Sequence, residues 1–180
     1  AVRIAVDATN AYWTSQVGHS GSVMSVPLAG GTSATMAPTD QNPGGIAVDS
    51  DNIYWVQTGN GINAGAVMKV PLAGGTPTTL VSAQADPIAI AVDSTSVYWV
   101  NGDDFRTGSG SVMKAPLGGG IQTVLAAAQV GPQDVAVDST SGQIAGRALV
   151  AVVAIMTFLA SITSGAVLLI SASASEWQSE

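Results

Sequence analysis

The most constraining feature of this sequence is an aspartate that recurs at nearly constant spacing, each time directly after a short apolar run. The steps between successive aspartates are 42, 44 and 45 residues, for Asp7, Asp49, Asp93 and Asp138. A tyrosine stands five residues after each of the first three, at Tyr12, Tyr54 and Tyr98. A fixed period of this length is the sequence signature of a repeat architecture, in which each unit is one supersecondary element.

Each repeat unit predicts four short strands. In the second unit these are an apolar run at 45–48, an aromatic pair with β-branched neighbours at 53–56, and runs at 67–70 and 78–81. Pro71 ends the third strand because it cannot donate to a ladder, and Gly74-Gly75 allows the positive φ of a tight hairpin. Four strands per ~40–45 residues is the period of a propeller blade. We predict an all-β partial β-propeller of about three four-stranded blades, near residues 1–42, 43–86 and 87–131, with the start of a fourth at 132–141.

The aromatic pairs carry a resemblance to a known family. The segments Tyr12-Trp13-Thr14-Ser15, Tyr54-Trp55-Val56-Gln57 and Tyr98-Trp99-Val100-Asn101 resemble the motif of YWTD and NHL-type β-propellers, across residues 1–138. The resemblance implies the propeller fold, which in that family usually closes with six blades. The fourth motif position holds Ser15, Gln57 or Asn101 where the family has Asp, so the resemblance implies the fold and not a particular receptor function.

The repeated aromatic pairs and aspartate turns favour structural interpretations over ligand-binding ones. The identical register of the Tyr-Trp pairs favours packing between neighbouring blades over an aromatic cage. Turns such as 49–52 favour an Asx-type turn, in which the aspartate accepts backbone N–H groups. One carboxylate per turn is too few for calcium, which takes about six to eight oxygen ligands. The chain has no cysteine, which excludes disulfides and thiolate metal sites. We expect no metal site and no cofactor.

The composition excludes or disfavours several classes of function. The chain has twelve acidic and five basic residues, so the basic stripe that is typical of nucleic-acid binding is missing. His19 is the only histidine, no serine lies in a Gly-x-Ser-x-Gly elbow, and residues 1–175 contain no glutamate. A lactonase or lyase-type propeller enzyme is therefore disfavoured, and we expect no catalytic residues.

All length variation between the repeats falls in the loop between the second and third strands, at residues 15–22, 57–66 and 101–111. In a four-stranded blade this loop lies on the same face as the link to the next blade, and loops on a rigid scaffold often carry binding specificity. The sequence favours a non-catalytic binding or scaffold module for a protein or carbohydrate ligand, although a solvated loop explains the same residues equally well. The candidate ligand-binding residues are Gln16, His19, Asn60, Asn63, Asp103, Asp104 and Arg106.

The fourth repeat breaks off where the chain becomes strongly apolar. Gln143 stands where the repeat predicts tyrosine, and residues 148–171 form a run of 24 residues without a charge. At ~1.5 Å per residue this run is long enough to cross the ~30 Å hydrocarbon layer as a helix. We predict a transmembrane α-helix over 148–171, with a pair of buried strands as the alternative, followed by a polar tail at 172–180.

The C-terminal segment carries a second resemblance. Residues 144–180 are similar to the first transmembrane segment of FtsX-type bacterial cell-division permeases. The resemblance implies an alternative function, a membrane component of cell division, and a place in the bacterial cell envelope. The change of pattern at 142–147 predicts a junction between two sequences of different origin.

The ends of the repeat array carry two further expectations. Ala1 stands inside a strand pattern, which suggests a piece of a longer protein. Three blades leave apolar blade faces exposed, so we expect two copies to associate and complete a ring.

Overall fold

The structure is a computed structural model that describes residues 3–39, 41–102 and 109–137. Within these ranges the chain is all β, with twelve strands and no helix. None of the described residues therefore forms a helix long and apolar enough to cross a membrane. The segment 148–171, predicted as a transmembrane helix, lies outside the described residues, as do the junction at 142–147 and the polar tail.

The twelve strands form three four-stranded antiparallel sheets, and each sheet is one repeat. In every sheet the strands lie side by side in chain order. The prediction of an all-β array with about three four-stranded, propeller-like blades is confirmed in this form. The first sheet contains β1 (Ile4–Val6), β2 (Asn10–Val17), β3 (Ser20–Pro27) and β4 (Ala34–Thr39); the second contains β5 (Pro43–Val48), β6 (Asn52–Gln57), β7 (Gly65–Pro71) and β8 (Thr78–Gln84); the third contains β9 (Pro87–Val92), β10 (Ser96–Asn101), β11 (Gly110–Pro116) and β12 (Thr123–Gln129).

A glycine pair turns the chain between the third and fourth strands of each sheet. In the second sheet Gly74 and Gly75 have φ of 83° and 136°, values that residues with a Cβ atom rarely adopt. The N–H of Gly74 donates to the carbonyl of Pro71 at 2.9 Å, which closes the turn. The same bond recurs in the other two sheets, at Gly30 and Gly119, so the predicted hairpin turn is confirmed in all three repeats.

The sheets stack on one another through the aromatic pairs. Tyr54 faces the third sheet and packs in one cluster with Ile90 and Trp99, while Trp55 faces the first sheet and packs in another cluster with Tyr12. The side chains of these five residues are at most 7% exposed. Since successive residues of a strand point to opposite faces, a Tyr-Trp pair serves the interfaces on both sides of its sheet. The predicted packing between neighbouring blades is confirmed.

The first strands of the three sheets lie together along the inside of the stack, where β5 contacts both β1 and β9. Gly45 permits the close approach of β5 to β9, because a Cβ at this position would lie 2.7 Å from the Cα of Ala89. A proline at the start of the second, third and fourth repeats packs on a glycine at the start of the third strand of the preceding repeat. These pairs are Pro43 on Gly21, Pro87 on Gly65 and Pro132 on Gly110.

Candidate functional site

Each aspartate turn is held by its own side chain. The Oδ1 atom of Asp49 accepts the backbone N–H groups of Asp51 and Asn52, at 2.8 and 2.7 Å. Its Oδ2 atom accepts the hydroxyl of Tyr54 at 2.7 Å. The first and third repeats repeat the pattern, with tyrosine-to-aspartate distances of 2.8 Å for Tyr12 and Asp7 and 2.8 Å for Tyr98 and Asp93. The expected Asx-type turn is present, and the tyrosine five residues later locks it.

The hydrogen bonds also set the ionisation of these groups. Backbone N–H groups of Thr9 and Asn10, followed by the hydroxyl of Tyr12, lower the pKa of Asp7 to about 2. Burial raises the pKa of Tyr54, and its bond to Asp49 raises that pKa further. The Asp7 carboxylate is thus charged and Tyr54 is neutral near pH 7, in roles that stabilise turns. Among the described residues, no three or more His, Cys, Asp or Glu side chains group closely enough to hold a metal ion.

A cavity of about 480 Å³ opens at the end of the stack where the first strands begin and the second strands end. Three repeat positions recur in its lining. The position nine residues after the aspartate supplies Gln16, Thr58 and Gly102. The position seven residues before the aspartate supplies Asn42 and Asp86, and the position five residues before it supplies Gly44, Ile88 and Gln133. Arg3 and Pro43 complete the lining.

Hydrogen bonds between neighbouring segments fix the rim of this cavity. The N–H of Thr58 donates to the carbonyl of Asn42 at 3.0 Å, and the N–H of Gly102 donates to the carbonyl of Asp86 at 2.9 Å. The side-chain amides of Gln16 and Asn42 are hydrogen-bonded at 3.0 Å, which joins the end of β2 to the link between the first two sheets. The rim therefore presents amide, hydroxyl and charged groups on a backbone that is tied together across the sheets.

The predicted ligand-binding residues separate into three groups. Gln16 lines the cavity. The side chains of His19, Asn60 and Asn63 are exposed on the loops after β2 and β6, at the same end of the stack but not in the cavity lining. The others, Asp103, Asp104 and Arg106, lie outside the described residues.

Sequence reasoning missed most of the cavity lining, because it searched the loops of variable length and not the links between repeats. Asn42 and Asp86 precede the prolines that begin the second and third repeats, at a constant distance from the aspartate. This constant spacing places the link residues at the same end of every sheet as the loops of variable length, and it is the signal that could have directed the search to the links.

Comparison with known proteins supports the fold. No protein-family model matches the sequence, and no curated protein matches it. Among solved structures, the chain is similar to one in the crystal structure of the nidogen/laminin complex. The TM-score is 0.64 with 21% sequence identity, over 76% of this chain and 52% of that chain.

A second similar structure is that of luciferin-regenerating enzyme, with a TM-score of 0.53 and 11% identity, over 74% of this chain and 48% of that chain. The chain thus spans about half the length of the solved structures it matches. At such identities the likeness shows a β-propeller-like fold alone. Residues 144–180 lie outside the described residues, and the comparisons give no support to the FtsX-type resemblance.

Proposed function

We propose that this chain is a non-catalytic binding module that holds a polar group of a protein or carbohydrate ligand in the cavity at the end of the sheet stack. The observation that carries the proposal is the cavity itself. It is an open cleft of about 480 Å³, and polar side chains from fixed positions of the repeat line it.

The chemistry of the lining supports recognition. Gln16, Asn42 and Gln133 carry amides that donate and accept hydrogen bonds, and Thr58 adds a hydroxyl. These groups do not titrate near neutral pH, so they suit the holding of a ligand better than the transfer of protons. Arg3 and Asp86 add one charge of each sign, which favours an uncharged or dipolar ligand group over a strongly charged one.

The arrangement of the rim supports the same proposal. Binding groups that are already fixed lose less conformational freedom when a ligand binds. The two backbone bonds from Thr58 and Gly102 hold the links at Asn42 and Asp86 in place.

The apolar segment 148–171 would attach this module to a membrane, which we propose from its length and lack of charge.

A direct test screens the full chain, purified in mild detergent, against a glycan array and a phage-displayed peptide library. The tightest probe is then measured by calorimetry with wild type and with the double variant Gln16→Ala and Asp86→Asn. Asp86 has a φ of 51°, and asparagine tolerates this left-handed conformation, so the variant preserves the backbone. Thr32→Ala, an exposed position in the turn at the opposite end, is the matched control.

We expect the double variant to bind the probe at least about tenfold more weakly, which corresponds to ~1.4 kcal/mol, and the control to bind as wild type does. Equal affinities for wild type and the double variant would refute the cavity as the site. A wild-type chain that binds no probe of either set would count against the binding function.

A further inference from the structure

The first sheet presents a bare face to one side of the stack. Ile4 is 67% exposed, whereas the residues at the same repeat position in the second and third sheets, Ile46 and Ile90, are each 7% exposed. Trp13 is half-buried, whereas its equivalents Trp55 and Trp99 are at most 1% exposed. None of the described residues covers the face of the first sheet that is covered in the other two.

The interfaces inside the molecule show what fits such a face. Ile46 and Trp55 lie under the tyrosine-bearing face of the first sheet, which contributes Tyr12, Val23 and Ala37. The same arrangement recurs between the second and third sheets. The bare face on the first sheet is therefore complementary to the tyrosine-bearing face of another sheet of this repeat.

The third sheet carries such a tyrosine-bearing face with an incomplete cover. Val135, in the start of the fourth repeat, is 5% exposed and packs with Tyr98, Val100 and Val112. Farther out on the same face, Leu125 is 44% exposed, although its equivalent Leu80 packs against the neighbouring sheet. The start of the fourth repeat thus covers the inner part of the face and leaves the outer part open.

Among the described residues, a lysine at one repeat position contacts a neighbouring sheet in the second sheet but not in the third. The ammonium of Lys69 donates to the carbonyl of Leu117 in the next sheet at 3.0 Å. At the equivalent position of the third sheet, Lys114 lies over the ring of Tyr98, 5.1 Å from its centroid. Lys114 therefore occupies the position from which, in the second sheet, a lysine contacts the next sheet.

Val135 and Ile4 occupy the same place in the repeat, three residues before the aspartate. Residues 132–137 follow the first-strand pattern and are seated on the third sheet, while β1 has only three residues, of which Ile4 and Val6 are 67% and 58% exposed. In sequence, the fourth repeat has Gln143 and Ile144 where the others have the Tyr-Trp pair. Residues 132–137 thus follow the first-strand pattern, and β1, the first strand of the first sheet, carries two exposed apolar side chains.

We propose that two copies of this chain associate head to tail by strand exchange, with residues 132–137 of each copy replacing β1 on the first sheet of the other. Each first sheet then packs on the tyrosine-bearing face of the other copy's third sheet, and the six sheets close into a ring with two identical contacts. Closed two-fold assemblies of this kind satisfy both exposed faces at once. This inference does not rest on the proposed ligand site, although displacement of β1 would also move the adjacent Arg3 out of the cavity lining.

Because the sequence contains no cysteine, only introduced cysteines can form a disulfide in a crosslinking test. In the described structure Val6 pairs with Ala11 across β1 and β2. In the exchanged dimer Val137, the equivalent of Val6, pairs with Ala11 of the other copy. Residues opposite each other in antiparallel strands have Cα atoms ~4.5–5.5 Å apart, within the range that a disulfide spans.

The experiment oxidises the full-length double variant Ala11→Cys with Val137→Cys in mild detergent and analyses it on a non-reducing gel. The matched control is Ile62→Cys with Val137→Cys, since Ile62 is 97% exposed and reports random collision. We expect a disulfide-linked dimer at least about tenfold more abundant for the first variant than for the control. Light scattering of wild type is expected to give the mass of two chains.

Three results would overturn the proposal: a monomeric wild-type chain, equal crosslinking of the two variants, or a crosslink that forms within one chain. An intramolecular bond would show that the chain's own C-terminal part covers the first sheet. Because the control shares Val137→Cys, a general disturbance by that substitution affects both variants equally.

Discussion

The close approach of β5 to β9 makes Gly45 the most informative single position for a test of the fold. Gly45 is buried and its φ is not positive, so alanine is compatible with its backbone conformation. A Cβ there would lie 2.7 Å from the Cα of Ala89 and 2.9 Å from the backbone nitrogen of Ile90. Both are backbone atoms of β9 and cannot swing aside as the end of a side chain can.

The size of the effect follows from these distances. Normal contacts between carbon atoms lie at ~3.5–4.0 Å, so the added methyl would penetrate the neighbouring strand by about 0.8 Å or more. The two inner strands must move apart to relieve the overlap. Overpacking of this kind costs about 1–3 kcal/mol in a well-packed interior. Gly45→Ala is therefore expected to lower the free energy of unfolding by that amount.

Gly118→Ala provides the matched control. Gly118 is exposed, its φ is not positive, and a Cβ there would meet nothing within 4 Å. Alanine also restricts the unfolded chain, so this variant is expected to be neutral or more stable by up to about 1 kcal/mol.

The assay is urea unfolding followed by tryptophan fluorescence, which reports on the buried Trp55 and Trp99. With an m-value of about 2 kcal/mol per molar urea, Gly45→Ala should lower the midpoint by roughly 0.5–1.5 M. Equal midpoints for Gly45→Ala and Gly118→Ala would refute the close contact of the inner strands, and with it the placement of the cavity rim.

Two further predictions concern the aspartate turns. Tyr54→Phe removes the 2.7 Å hydrogen bond to Asp49 and is expected to lower the free energy of unfolding in urea by about 1.5 kcal/mol. The control variant Ser50→Ala, at an exposed position, is expected to have the stability of wild type. Equal stabilities of Tyr54→Phe and wild type would show that the hydroxyl contributes nothing. The pKa of Asp7, about 2, is lower than its ordinary 3.8, so its contribution to stability is present above pH 4 and is lost as the pH falls through about 2. Asp7→Asn should therefore be less stable than wild type at pH 7 and should lose less stability than wild type between pH 4 and 2. Identical acid unfolding of the two proteins would contradict this.

The repeat in the sequence was sufficient to predict the strands, because the signals for them are local. Alternating apolar residues, a proline that stops a strand and a glycine pair that turns the chain all act within a few residues. The turn at Asp49 was predicted for the same reason, since its backbone partners are two and three residues away. The hydroxyl of Tyr54 is five residues away in the next strand, and its part in the turn was not predicted.

The candidate site was predicted only in part. The end of the stack that holds the cavity followed from the direction of the strands, and Gln16 was identified there. Its partner Asn42 lies 26 residues away in sequence, and no local pattern joins the two side chains. Which link residues form the rim depends on how neighbouring sheets are positioned around the inner strands, and the spacing of the repeat does not specify this.

The sequence by itself determined the number and order of the strands, the central residues of each strand and which residues alternate between its faces, because these depend on pairing between segments adjacent in the chain. The tertiary structure alone decided which of those faces are covered. Ile4, Ile46 and Ile90 occupy one position in the repeat, yet the first is 67% exposed and the others 7%. Burial depends on the neighbouring sheet, and equivalent positions with different neighbours therefore have different environments.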